Sequence, residues 1–167
     1  IKLKKAIKKI KSKIFLGSEK DVLKRYYLAA KSSGSDIIVR ITADCPFVDP
    51  KIIDAYIKEL KKYDLDYVYN GFPHTYPDGL DVEVFNINSL KIANNNAKNE
   101  LQREGVTKYF RDNLSKFKVK HINCPIKNIS NIRITLDEQV DLDLIKKIFN
   151  NFKPNIYFDW KKIVKLA

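Results

Sequence analysis

Cysteine is scarce, phosphate-cradling glycine loops are missing and no long apolar run occurs, and each absence removes a class of protein. Only Cys45 and Cys124 are present, far apart, with no CxxC and no Cys/His pairing beside either. Neither a zinc site nor a disulfide framework is expected, and a reducing cytoplasm fits best. No stretch approaches the roughly 18 apolar residues that a membrane span needs, and the lysine-rich start lacks the apolar core of a secretory signal, so no membrane partner is expected. Without a Walker-type glycine loop, a GxGxxG or a Ser/His/Asp grouping, kinase, dehydrogenase and hydrolase readings have no support. Arginine is rare as well: of 32 basic residues only Arg25, Arg40, Arg103, Arg111 and Arg133 are arginine, in a chain of net charge +12. The lysines are spread over nearly the whole length among abundant Asn and Ile. That dispersal reads as a compositional bias and not as a phosphate-binding face, which disfavours nucleic acid as a partner.

What is present is enough for a core. At 167 residues and 44% hydrophobic, one compact α/β domain over residues 1–167 is the expectation. Leu3, Ile7 and Ile10 have helical spacing, and Ile14–Leu16 reads as a short buried strand. Ser18 followed by Asp21 resembles a capping signal for a helix from about Glu19 to Ser32, closed by Gly34. Asp36–Thr42 is nearly continuous β-branched sequence, which predicts a central strand buried on both faces. Asp49-Pro50 starts a helix whose apolar stripe is Ile52, Ile53, Tyr56, Ile57 and Leu60. Strands are expected at Tyr67–Asn70 and Val82–Phe85, broken by the Pro- and Gly-containing loop at 71–79. Helices follow near Ile87–Ala97, Val106–Leu114, Val140–Asn150 and Tyr157–Leu166, with strands at Phe117–Ile122 and Ile132–Leu136. Strands alternating with helices of this length argue for a layered α/β domain with mixed strand order.

In an open α/β sheet, ligands bind beyond the carboxyl ends of strands, so polar residues placed there are the first candidates. Asp44 follows the strand at 37–42, and Asp137 ends the one at 132–136. Each carboxylate either contributes to a Mg²⁺ site, since that ion takes one or two carboxylates and completes its shell with water and phosphate oxygens, or caps a turn or helix. Asp81 and Glu83 alternate onto one strand face beside Gly79, where they either bind a polyol or form a solvent-facing edge. His74 and Tyr76 share that loop, as ligand contacts or as packing. Arg103, Glu104 and Thr107 open a helix whose N-terminus suits an anion; alternatively Arg103 and Glu104 form an exposed ion pair of little consequence.

The stretch Phe15-Leu16-Gly17-Ser18-Glu19-Lys20-Asp21-Val22-Leu23-Lys24-Arg25-Tyr26-Tyr27 resembles the signature of the spore coat polysaccharide cytidylyltransferase family, within the wider acylneuraminate/KDO cytidylyltransferase group. Ile38–Pro50, Tyr76–Phe85 and Ile132–Asp137 resemble its later blocks in the same order. The resemblance implies a Rossmann-like, three-layer α/β/α nucleotide-diphospho-sugar transferase fold with a mixed sheet. It also implies an activity: CTP joined to a sugar or sugar acid with Mg²⁺ and release of pyrophosphate, for surface polysaccharide biosynthesis. On this reading Asp44 and Asp137 occupy the catalytic, metal-binding carboxylate positions. Tyr76, Gly79, Asp81, Glu83, Arg103, Glu104 and Thr107 lie near the sugar. The family's first strand and its triphosphate-cradling loop would precede Ile1. The chain is therefore expected to be the carboxy-terminal two-thirds of such a domain, inactive by itself and prone to form a homodimer; the alternative is a non-catalytic sugar-, nucleotide- or subunit-binding remnant. Gly105 and Lys108 depart from the histidine and proline that the family tends to show.

Overall fold

Local signals start and stop the helices. In the computed structural model, which describes residues 12–166, the first described helix is α1 (Val22–Ser33). Its cap is Asp21, whose carboxylate accepts from Lys24 N–H at 3.0 Å, while Ser18 Oγ accepts from Asp21 N–H one step earlier. Gly34, with φ 64°, closes it by donating to the carbonyls of Ala30 and Lys31, the left-handed terminus that glycine adopts without steric cost. Asp49 and Pro50 begin α2 (Pro50–Lys62) as expected; the Asp49 side chain caps Lys51 N–H at 2.8 Å. Ile52, Tyr56 and Leu60 are the buried stripe of that helix. The expected helix at the start of the chain lies outside the described residues.

The chain divides into two compact units. One unit joins the described residues up to Asp36 to Ile87–Lys116. It contains α1, α3 (Ile87–Asn96), α4 (Glu100–Glu104), α5 (Lys108–Asp112) and a 3₁₀ turn at Leu114–Lys116. Leu23, Leu90, Ala93 and Phe110 are the fully buried apolar side chains at its centre. Ile14–Leu16 is not a strand here. Its backbone pairs with no strand among the described residues, and Phe15 and Leu16 stay exposed. The single helix expected at 106–114 is divided: it begins only at Lys108 and gives way to the 3₁₀ turn.

The second unit, Ile37–Asn86 with the chain from Phe117 onward, holds the sheet. Strands β1 (Ile37–Arg40), β2 (Tyr67–Tyr69), β3 (Glu83–Asn86) and β4 (Val119–His121) lie in the order β1-β3-β2-β4. β3 runs antiparallel to both neighbours, with Ile38 opposite Phe85 and Val68 opposite Val84, whereas β2 and β4 are parallel. The mixed order matches the expectation. The place of β1 does not: among the described residues it is an edge strand, paired with β3 alone, because its partner is fixed by the antiparallel register and not by its own composition. Helix α2 packs on β2 and β3. With α6 (Gln139–Phe152) and α7 (Trp160–Val164) it closes a core of Phe47, Tyr56, Val68, Leu80, Val84, Ile148 and Trp160, among others. Fully burying each aliphatic side chain contributes roughly 1.5–3 kcal/mol. Asp49, itself buried, links two of these helices, since its second carboxylate oxygen accepts from Trp160 N–H at 3.2 Å.

Candidate active site

The segment expected to be a strand at 132–136 is extended but makes only one bridge, Arg133 opposite Asp78. Its partner is a loop: Asp78 N–H donates to Ile132 O at 2.9 Å and Ile134 N–H to Asp78 O at 2.8 Å. Gly79 makes this approach possible. Its φ of 107° disfavours side chains, and a Cβ there would lie 3.0 Å from the backbone carbon of Ile134. Two residues further on, Leu136 N–H donates to Asp44 O at 2.8 Å. The extended segment therefore laces the 71–81 loop to the turn after β1, bringing Asp44, Asp78 and Asp137 to one corner of the second unit.

That loop is held from several sides. The buried Asn70 side chain donates to Leu80 O and accepts from Val82 N–H, both at 2.9 Å, stapling the loop's base. Thr75 Oγ1 accepts from Cys124 N–H, and a ring nitrogen of His121 lies 3.1 Å from Pro73 O. Asp81 is half-buried, with Oδ1 3.6 Å from His74 Nδ1. Burial raises the Asp81 pKa, an effect that the facing His74 opposes. Burial also pushes the Cys45 thiol up to about 11, and the charges of Asp44 and Asp81 add to that rise. Cys45 and the two carboxylates thus share one electrostatic environment.

Asp137 does not cap the helix that follows it. Glu138 is the cap of α6, in a capping box with Asp141, so Asp137 is left for other partners. Arg133 Nη2 donates to Asp137 Oδ2 at 2.5 Å, and Thr135 Oγ1 donates to the same oxygen at 3.2 Å. Arg133 grips Asp141 with both terminal nitrogens, at 2.6 and 3.1 Å. Neither Arg133 nor Asp141 was expected from sequence. Their spacing of four residues on either side of Asp137 was the available signal, but on an extended-to-helix corner it is not the surface ladder that such spacing denotes within a helix.

Other expected site residues are placed elsewhere. Glu83 is neither a solvent-facing edge nor open to ligand: it is buried, paired with Arg40 across the register and hydrogen-bonded by the Tyr67 hydroxyl. Tyr76 is buried with its ring 5.5 Å from that of Trp160. In the first unit, Arg103 and Glu104 end α4 and do not open a helix, because the helix begins four residues earlier at its Asn99 cap. Arg103 pairs with Asp21 at 2.6 Å and donates to Asn94 O at 2.6 Å, and no ion pair with Glu104 forms among the described residues. Thr107 is fully buried ahead of α5 and accepts from Arg111 Nη1 at 3.2 Å. At Gly105 a Cβ would come 2.8 Å from Leu101 O, so this turn is shaped for glycine.

A four-stranded mixed sheet covered by helices, with an extended 132–136 segment laced to a loop that requires glycine, defines the α/β class of the second unit. The chain belongs to the cytidylyltransferase family, whose profile matches residues 3–163. It is similar to a cytidylyltransferase from Leptospira borgpetersenii serovar Hardjo-bovis of solved structure, with a TM-score of 0.91 and 30% identity over 99% of this chain and 69% of that one. An uncharacterized protein of Methanocaldococcus jannaschii is 40% identical over 83% of this chain and 56% of its own length. The spore coat polysaccharide biosynthesis protein SpsF of Bacillus subtilis is 31% identical over 82% of this chain and 57% of its own. The chain thus spans a little more than half the length of these curated relatives. No helix among the described residues is long and apolar enough to cross a membrane.

Proposed function

We propose that the protein to which this chain belongs transfers a cytidylyl group from CTP to a sugar or sugar acid, releasing pyrophosphate, in the assembly of a surface polysaccharide. The observation that carries this reading is the backbone hydrogen bond from Leu136 N–H to Asp44 O, which makes the turn after β1 and the residue before Asp137 neighbours, in a chain of the cytidylyltransferase family. A sugar oxygen would attack the α-phosphorus as the bond to the bridging oxygen breaks.

The donor chemistry of Asp44 and Asp137 suits Mg²⁺, and among the described residues no group of three or more His, Cys, Asp or Glu side chains is gathered to hold an ion without substrate and water. Both candidates are hard oxygen donors, and two carboxylates suffice for an ion that fills its remaining positions with water and phosphate oxygens. Among the described residues Asp137 Oδ1 takes no hydrogen bond, and the Asp44 carboxylate accepts one, from the Cys45 thiol at 3.7 Å. When bound, the ion supplies neutralisation of triphosphate charge. Asp81, half-buried beside His74, is the carboxylate we assign to a substrate hydroxyl, with Gly79 holding its loop in place. Of the other residues expected near the sugar, Glu83 and Tyr76 are taken up by Arg40, Tyr67 and Trp160 in the second unit, and Arg103 and Thr107 by Asp21, Asn94 and Arg111 in the first.

The test is a pyrophosphate-release assay with CTP, Mg²⁺ and a panel of sugars and sugar acids, run on this chain and on a longer form carrying upstream sequence. Where turnover occurs, Asp44→Ala and Asp137→Asn should each lower kcat/KM about a hundredfold or more, as loss of charge stabilisation at a reacting phosphate does. Turnover of Asp44→Ala equal to that of its parent would sink the reading.

A further inference from the structure

Asp141 is saturated. Its carboxylate accepts from the N–H groups of Glu138 and Asp137, at 2.8 and 2.9 Å, and from both terminal nitrogens of Arg133. Asp141 is therefore an anchor, fixed to the start of α6, and its two-point grip sets the plane of the Arg133 guanidinium. A planar fork held on one side directs its remaining N–H groups along set lines. One of those lines ends on Asp137 Oδ2, the oxygen that Thr135 Oγ1 also meets. The result is a lopsided carboxylate: Oδ2 takes two donors, and Oδ1 takes none among the described residues.

We infer that Arg133, anchored by Asp141 and assisted by Thr135, is a positioning residue that turns Asp137 so that Oδ1 is presented to a divalent cation as a monodentate ligand. The inference rests on the metal reading given above. Carboxylates that bind metals are themselves oriented by hydrogen bonds from outside the coordination shell. The competing account makes Arg133 a plug that the cation must displace. The anchoring argues against it: Arg133 is held by Asp141 independently of Asp137, and need not leave when Oδ1 takes a ligand. The local charge argues the same way, since Asp78 (3.9 Å from Arg133 Nε), Asp137 and Asp141 surround this one guanidinium, leaving the corner negative.

Mn²⁺ is the probe, its free concentration read by electron paramagnetic resonance during titration in the presence of CTP. Arg133→Gln should weaken Mn²⁺ binding about ten- to a hundredfold. Arg133→Lys should recover only part of the loss, because an ammonium keeps the charge but cannot serve Asp141 in two places and Asp137 in a third. Thr135→Val, nearly isosteric, should give a smaller weakening, and it carries the test if Arg133→Gln does not fold by circular dichroism. Unchanged or tighter binding in Arg133→Gln, alongside weaker binding in Asp137→Asn, overturns this inference alone and favours the plug. If Asp137→Asn leaves Mn²⁺ binding unchanged, or the unaltered chain binds none, the metal reading falls and the inference falls with it.

Discussion

Removing the Glu83 carboxylate should cost this chain stability before it costs anything at a ligand. Glu83 is buried in β3, opposite Arg40 in the β1 register, and takes the Tyr67 hydroxyl from β2, so one side chain ties three adjacent strands. Breaking a buried ion pair by deleting one partner typically costs 3–5 kcal/mol, because the other charge is left uncompensated. The Arg40 side chain is 24% exposed, so water can take over part of its solvation, and about 3 kcal/mol is the expected loss for Glu83→Ala. In a domain of this size each kcal/mol moves Tm by roughly 2–4 °C, so a fall of about 6–12 °C is expected in a calorimetric or circular-dichroism melt. Arg40→Met with Glu83→Ala should cost less than the sum of the two single changes, since the double variant leaves neither charge stranded. A Glu83→Ala protein that melts within about 2 °C of its parent would refute the scaffold assignment and return Glu83 to the substrate side.

Gly79→Ala should destabilise by about 2 kcal/mol or more, the sum of a left-handed backbone that alanine resists and a collision with Ile134, and thermal melts would show it. Asp81→Asn should raise Tm at neutral pH, because burial makes the ionised form unfavourable. The raised folded pKa means that the contribution of Asp81 to stability is full below its unfolded value and lost as pH rises through the folded one. Melts across pH 3–8 should therefore show parent and variant converging toward acid. Asp141 has the opposite sign: with its folded pKa lowered to about 2, its contribution is present above the ordinary carboxylate value and is lost as pH falls from about 4 to about 2. Asp141→Asn should flatten Tm against pH over that acid window, and an unaltered slope there would count against the Arg133–Asp141 clamp.

The parts of the fold legible in sequence are those governed by short-range chemistry. Asp49-Pro50 as a helix start and Gly34 as a helix stop need only a capping side chain, a ring-fixed φ and a missing Cβ, all within four residues. The parts that were not legible depend on distant partners. The β-branched run at 36–42 reads as a central strand, yet its position in the sheet is decided by β3, more than 40 residues away. Ile132–Leu136 has strand composition, but its backbone hydrogen bonds go to Asp78, Asp44 and Ile129, so most of it never joins a ladder. Glu83 reads as a polar edge residue because a lone sequence cannot show that Arg40 stands opposite it.

The same distinction separates the candidate site residues that keep a possible role at a ligand from those that do not. Asp44, Asp81 and Asp137 lie where extended backbone meets a turn. There a carboxylate is held by a few local bonds and still has an oxygen to offer. Arg103, Glu83, Thr107 and Tyr76 lie in blocks that the family resemblance implies are near the sugar, but each is taken up within its own unit, by Asp21 and Asn94, by Arg40 and Tyr67, by Arg111, and by Trp160 respectively. Motif position alone does not separate the two groups; the partner of each polar atom does. Asp137 Oδ1, which takes no donor among the described residues while its sister oxygen is held by a fixed guanidinium, is for that reason the first atom at which to look for a ligand.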